Sequence, residues 1–342
     1  MMTISRSILG VLAAIAAAAA LIAVIAAARC QWARPPPEPL VLAVARSTFG
    51  GPLWVAQRQG FFAAEGLTAT VRPYPTGKLA LEAMLRGEAE VATVAETPLV
   101  LTSLAGIPFS VIANYASSTE HSLVARADRG IAAVTDLRGR RVGVAPGTSG
   151  QYFLHVLLSD EGLTEAELTV VPLPAAEQAA ALAAGQVDAV AAFAPYSGQC
   201  RLALADNARS FSTGIRYTGY GNLVTRRDFP DRRPEATLRL LRAVDRTISW
   251  MRTHPDESLA IAAAGSGTDV ATLRDGWGSL TPNLGLDQGF IVLLQAEARW
   301  AIAAQVAPGL APGAALPDFR DFINAGALAR LHPESVTIVG KP

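Results

Sequence analysis

The chain has 342 residues, enough for two domains or two lobes of one, and about half are apolar, which allows a sizeable core. Lysine plus arginine number 29, and aspartate plus glutamate also number 29. A formal charge of zero with no long block of like charge argues against a general nucleic-acid surface.

The N-terminus carries Arg6 and then 21 uncharged residues, Ile8 to Ala28, mostly alanine. A positive start before an apolar run is the pattern of a secretory signal, and Ala26-Ala27-Ala28 offers a small-residue cleavage site. The run is also long enough to span a bilayer. Residues 1–38 are therefore read as a signal peptide or membrane anchor followed by a proline-rich spacer, "RPPPEP". Either reading places the rest of the chain outside the cytoplasm. Of the two cysteines, Cys30 stands where a lipidated cysteine would, but Arg29 before it is not the small residue such a signal wants. A structural disulfide with Cys200 is not expected.

An internal echo follows. "VLAVARS" (Val41–Ser47) and "RVGVAPG" (Arg141–Gly147) are apolar strands ending in turns, 100 residues apart. Each leads into a helical stretch that closes on Glu-Gly-Leu-Thr, at Glu65–Thr68 and at Glu161–Thr164. Glycine there suits the helix C′ position, where φ is positive. A strand follows in both copies ("ATVRPYP", "LTVVPLP"), then a helix (Lys78–Arg86, Glu177–Ala184), then a glycine turn and a buried strand (Gly87–Val94, Gly185–Phe193). Strand, helix, strand, helix, strand, twice over, predicts two α/β lobes with mostly parallel sheets. "HSLVARA" is expected to lead from lobe 1 to lobe 2 and "GNLVTRRDF" back, with hinges at Leu123–Ala127 and Asn222–Thr225. That makes residues 39–126 and 224–342 lobe 1, and 127–223 lobe 2. From Pro234 the pattern turns helical: Leu238, Leu241, Val244, Ile248 and Met251 share one face, and Leu286–Ala304 is a second strong helix. Both read as packing.

In open α/β sheets ligands sit beyond the C-terminal strand ends, so the turns there are the candidate site. Gly147-Thr148-Ser149-Gly150 opens a helix, where Thr148 or Ser149 can cap and the first N–H groups favour an anion. It lacks the lysine of a phosphate loop. The turn Ser47-Thr48-Phe49-Gly50-Gly51 is its counterpart, which suggests two jaws on one cleft. Thr76-Gly77 opens another helix. Glu96 and Thr97 follow a strand end; Glu96 would either bind a ligand amine or cap a helix before Pro98. Tyr115, Tyr196 and Tyr220 lie near strand ends. Catalytic signals are poor: His121, His155, His254 and His332 are isolated, no metal-ligand spacing occurs, and no Gly-x-Ser-x-Gly elbow is present.

With these residues in view, the chain resembles the extracytoplasmic solute-binding proteins of ABC importers, in the nitrate/sulfonate/taurine group that also includes thiamine-precursor binders. The likeness rests on "GGPLWVAQRQGFFAAEGL", "RGEAEVATVAETP", "DLRGRRVGVAPGTSGQYFL", "AGQVDAVAAFAP" and "QAEARWAI", and runs from about residue 39 to the C-terminus. It implies a two-lobed, type II periplasmic-binding fold hinged on two crossing strands. It also implies an exported, periplasmic protein, cleaved from or tethered by its apolar segment, that docks on an inner-membrane permease. A small anionic or zwitterionic solute (a sulfonate, taurine, a nitrate-like anion or a thiamine precursor) is expected between the lobes. Carried over, the contacts are Ser47, Thr48, Phe49, Thr76, Gly77, Glu96, Thr97, Tyr115, Thr148, Ser149, Pro195 and Tyr196; Tyr220 is added by position. No catalytic residue, metal or cofactor is expected, nucleic acid is not a partner, and a monomer is expected. Glu96 departs from the family, where a small residue is usual, and a carboxylate there would suit an amine-bearing ligand over a bare anion. Two rival readings keep the fold: an enzyme assembling a pyrimidine precursor, with His155 as the candidate, and a membrane-tethered sensor or adaptor.

Overall fold

The computed structural model describes residues 36–307, 309–310 and 313–340. The apolar segment Ile8–Ala28, Cys30 and the start of the spacer lie outside the described residues. Among the described residues no helix is long and apolar enough to cross a membrane.

The first copy of the repeat forms β1 (Glu38–Ala45), α1 (Gly51–Arg58), α2 (Phe61–Ala64), β2 (Leu67–Tyr74), α3 (Gly77–Leu85) and β3 (Val91–Val94). Then come α4 (Glu96–Leu104), β4 (Ser110–Ser118) and β5 (Ser122–Arg126). The second copy is β6 (Arg141–Val144), α5 (Ser149–Asp160), β7 (Thr169–Pro172), α6 (Gln178–Ala183) and β8 (Ala189–Ala192). The chain continues through α7 (Tyr196–Leu204), β9 (Ala208–Phe211), β10 (Gly219–Thr225), α8 (Phe229–Arg232), α9 (Pro234–Thr253), α10 (Pro255–Ser266), α11 (Val270–Gly278), β11 (Thr281–Gly285), α12 (Gln288–Ala303) and α13 (Gly326–Leu331). Gly66 and Gly162, the glycines of the two Glu-Gly-Leu-Thr stretches, have φ of 76° and 68°, the left-handed conformation that a side chain resists.

Two sheets result, ordered β11-β4-β10-β3-β1-β2 and β7-β6-β8-β5-β9. Each copy of the repeat places its strands in the same order: the second at one side, the first in the middle, the third beyond it. The first and third strands pair in parallel in both copies, Leu42 beside Val91 and Val142 beside Ala189. The sheets are nevertheless mixed. Each takes an antiparallel strand from the other half of the chain next to its third strand: β10 beside β3, and β5 beside β8. The chain crosses at 119–121 and returns at 212–218, so the expected hinges Leu123–Ala127 and Asn222–Thr225 fall largely inside paired strands. A run of apolar residues marks a strand but not the sheet that it joins.

Burial explains the composition of these strands. β3 ("VATV") and β8 ("AVAA") are buried along their whole length, as strands covered on both faces must be. In the second sheet alternate residues feed different cores: Leu123, Ala125, Ala189 and Ala191 join the cluster that holds Phe153, and Val124, Val190 and Ala192 the one that holds Leu182 and Cys200. All five residues expected on one face of α9 are buried. α12 stitches the two sheets together, with Leu294 and Ala298 in the core of the first and Trp300 and Ala301 in a core of the second.

At Gly50 a Cβ would stand 1.9 Å from the Ala45 carbonyl oxygen. Only glycine lets the turn after β1 fold back this tightly. Gly50→Ala is expected to cost at least the 1–3 kcal/mol typical of overpacking (about that order), read as a lower guanidinium midpoint; an unchanged midpoint would show that the turn can give.

Candidate functional site

The C-terminal ends of the parallel strands converge on one cavity. The turn after β1 supplies Ser47 and Phe49, the start of α3 supplies Thr76, Gly77 and Lys78, and the end of β3 with the start of α4 supplies Thr93, Val94, Ala95 and Pro98. From the other half come Thr148 and Ser149 at the start of α5 and Phe193 after β8, while Glu120 comes from the first crossing. The two glycine–hydroxyl turns therefore face the same space.

Local chemistry shapes each turn. Thr76 caps α3, its hydroxyl oxygen accepting from the Leu79 N–H at 3.3 Å. Thr148 holds the N-cap position of α5 with extended backbone, but no side chain caps that helix. Its hydroxyl donates instead to the Ala145 carbonyl at 2.8 Å, and the Gly147 N–H donates to Gln151 Oε1 at 2.8 Å. The start of α5 thus presents its positive end to the cavity. Ser149 Oγ lies 2.9 Å from His121 Nε2. Burial pushes His121 down to about 3, so the ring is neutral, held against Tyr217, Phe153 and Phe193 at 4.9, 5.7 and 6.2 Å.

Seven of the thirteen sequence candidates do not line this cavity. Thr48 is fully buried under its turn, its hydroxyl on the side of Glu120. Tyr115 is a core residue whose hydroxyl donates to the Phe49 carbonyl at 2.5 Å, so it shapes the turn from behind. Glu96 faces the protein rather than the cavity: the Tyr217 hydroxyl donates to its Oε1 and the Tyr220 N–H to its Oε2 at 3.0 Å. Tyr220 packs its ring on Phe290, at 5.4 Å. Thr97 is wholly buried. Pro195 and Tyr196 border a neighbouring depression with Arg46 and Pro75. There the Tyr196 hydroxyl donates to the Pro75 carbonyl at 2.7 Å, tying the segment after β2 to the start of α7 across the two halves.

Two acidic residues escaped the sequence reading. Glu120 is 7% exposed, and its Oε2 has no hydrogen-bond partner. Burial pushes it up to about 8; the Thr48 hydroxyl works against this and the Glu96 charge adds to it. The signal was Thr119-Glu120-His121 at the crossing itself, since a segment that passes between two sheets runs along the floor of the cleft. Glu297, on the helix read as packing alone, is fully buried with neither carboxyl oxygen partnered. Burial first, then the Glu96 charge, raises it well above the usual carboxylate range. Burial raises Glu96 too, against the hydrogen bonds from Tyr217 and Tyr220. No group of three or more histidine, cysteine, aspartate or glutamate side chains among the described residues could hold a metal. Cys200 is buried and its thiol pushed up to about 12, which makes it a poor nucleophile.

These shifts set the pH response. A carboxyl raised in the folded state keeps its proton where the unfolded chain has lost it, so its stabilising contribution is lost as pH rises through the folded value, about 8 for Glu120. The depressed His121 acts on the other side, removing stability as pH falls from the ordinary histidine range toward about 3. Tm is expected to fall by several degrees between pH 6 and pH 9, and Glu297→Gln to flatten that fall. A wild-type Tm that is level across the interval would refute the protonated cluster.

Comparison with known proteins agrees with this layout. The taurine-binding periplasmic protein of Escherichia coli K12 is 25% identical over 200 residues, covering 57% of this chain and 61% of that protein. The alkanesulfonate-binding protein SsuA from Xanthomonas axonopodis pv. citri, solved bound to MOPS, superposes with a TM-score of 0.70 at 21% identity over 80% of this chain and 96% of that one. The desulfurization enzyme DSZB superposes with a TM-score of 0.67 at 19% identity over 87% and 99%. These likenesses place the chain in the periplasmic-binding fold, which serves binding proteins and an enzyme alike. The NMT1/THI5-like family model matches residues 49–258, the span that holds the second copy of the repeat, the first copy apart from β1 and its turn, and every residue of the cavity wall except Ala45 and Ser47, and the chain belongs to that family.

Proposed function

We propose that the chain is the extracytoplasmic solute-binding component of an ABC importer, exported to the periplasm, and that it holds a small anionic or zwitterionic organic solute in the cavity. The observation that carries this reading is the meeting of the Ser47–Phe49 turn with Thr148-Ser149 around one space. Hydroxyls and two helix starts, at α3 and α5, offer donors and positive dipole ends to an anionic group. Contact from both halves couples occupancy to closure, because a ligand bridges the two walls only when they are together. The Tyr196–Pro75 hydrogen bond adds a direct tie between the same halves. The binding-protein names of the relatives support an import role with a membrane permease as partner.

An enzyme on this fold would need a proton acceptor at the cavity. Glu120, pushed up to about 8 by burial, is an acceptor on the wall; Ser149 with His121 is the hydroxyl–base pair that comes nearest, but an imidazole held near 3 is far from the value near ambient pH that general-base catalysis prefers. His155, the sequence candidate, faces Glu165 at 3.3 Å and Trp300 at 5.9 Å, away from the cavity wall. The geometry favours holding over transforming.

Taurine, ethanesulfonate, nitrate and a pyrimidine precursor form the test panel in a thermal-shift assay. At about 100 times Kd, binding stabilises by about 2.7 kcal/mol, or roughly 5–10 °C for a chain of this size. Ser149→Ala is expected to weaken a sulfonate roughly tenfold or more, the value of a hydrogen bond to a charged group. A shift with none of the panel would count against the reading.

A further inference from the structure

We propose that Glu120 makes this cleft select solutes carrying an ammonium group beside their anionic end, with the Glu120 carboxyl as the acceptor for that ammonium. The inference rests on the reading of the cavity as a solute site.

Three observations carry it. Glu120 lines the cavity from the crossing segment, is more than nine-tenths buried, and has an Oε2 with no partner. Among the described residues, the groups that face it supply no positive charge. The turn after β1 offers the Thr48 hydroxyl, α4 brings the like-charged Glu96, and the neighbouring His121 is neutral. On the α11 side a Cβ added at Gly276 would lie 3.1 Å from Oε2, so backbone closes that approach. Lys78 is the cation on the described cavity wall, and its Nζ is already paired with Glu82 Oε1 at 2.7 Å while 40% of its side chain meets solvent. A carboxylate withdrawn from water without a counter-charge is costly. A solute ammonium is the charge the site lacks.

The rest of the cavity is built for the opposite sign. The start of α3, capped by Thr76, and the start of α5 at Thr148-Ser149 turn their positive ends toward the same space. A dipolar solute satisfies both ends: its anionic group at the helix starts and hydroxyls, its ammonium at the crossing. A plain anion leaves Glu120 uncompensated and tolerates it only in the protonated form.

The two cases differ in proton linkage. Burial keeps a proton on Glu120 up to about pH 8. An ammonium favours the carboxylate, so binding near pH 7.5 expels that proton. A plain sulfonate favours the acid form, so binding near pH 8 takes a proton up.

Isothermal titration at pH 7.5 tests this with taurine and ethanesulfonate, in two buffers of different ionisation enthalpy that carry neither sulfonate nor primary amine. The expected result is taurine bound at least tenfold more tightly than ethanesulfonate, with net proton release. Glu120→Gln should abolish the release and the preference while leaving ethanesulfonate binding intact or stronger, which also shows that the variant is folded. Ethanesulfonate bound as tightly as taurine by the wild type, or taurine bound without proton release, overturns the role of Glu120 and leaves the solute site standing. Binding of neither sulfonate by the wild type overturns this role together with the reading of the site.

Discussion

A strand buried on both faces has little room for polar side chains that lack a partner, and that constraint organises this molecule. β3 and β8 are alanine, valine and threonine throughout, sealed within their sheets. Most polar groups gather where such strands end. Because β1, β3, β6 and β8 deliver their C-terminal ends to one space, the hydroxyls of Ser47, Thr76, Thr148 and Ser149 meet there although more than 100 residues separate the first from the last. The site is the unavoidable polar margin of an apolar interior.

Exchange of strands gives that margin its second property. Each sheet borrows a strand from the other half of the chain, β10 in the first and β5 in the second. The connecting segments are therefore held at both ends by antiparallel pairing. What they carry is placed firmly between the sheets: Glu120 and His121 on the way out, Tyr217 on the way back. Tyr217 then reaches Glu96 on α4, next to Glu297 on α12. Crossing segments, cavity floor and buried acids form one electrostatic neighbourhood with few compensating cations.

Burial is the dominant cause of every large shift there. It drives Glu120, Glu96 and Glu297 toward their neutral acids and His121 toward its neutral base. The interior thus minimises charge and leaves the helix starts to set the potential seen by a solute. The fold alone does not decide between holding and transforming, since it is shared with binding proteins and with an enzyme. What separates them is the chemistry at the cavity wall, where hydroxyls and helix starts stand beside one buried carboxyl, Glu120.

The amino-acid order by itself determined the duplicated unit, because apolar runs, glycine C′ positions and strand–helix alternation are local properties. Gly66 and Gly162 marked the same corner in both copies, and the turns at Ser47–Phe49 and Thr148-Ser149 were legible as strand-end loops. It also supplied the idea that a carboxylate would favour an amine-bearing solute, but attached it to Glu96. Only the tertiary structure decided which side chains reach the cavity. The hydroxyl and backbone N–H that engage Glu96 come from Tyr217 and Tyr220, more than 120 residues away; Tyr115 was drawn into the core beneath Phe49; and Glu120 was carried to the cleft by a crossing whose position depends on which sheet β5 joins. Strand pairing and burial are agreements between distant segments, so no single stretch of the chain contains them.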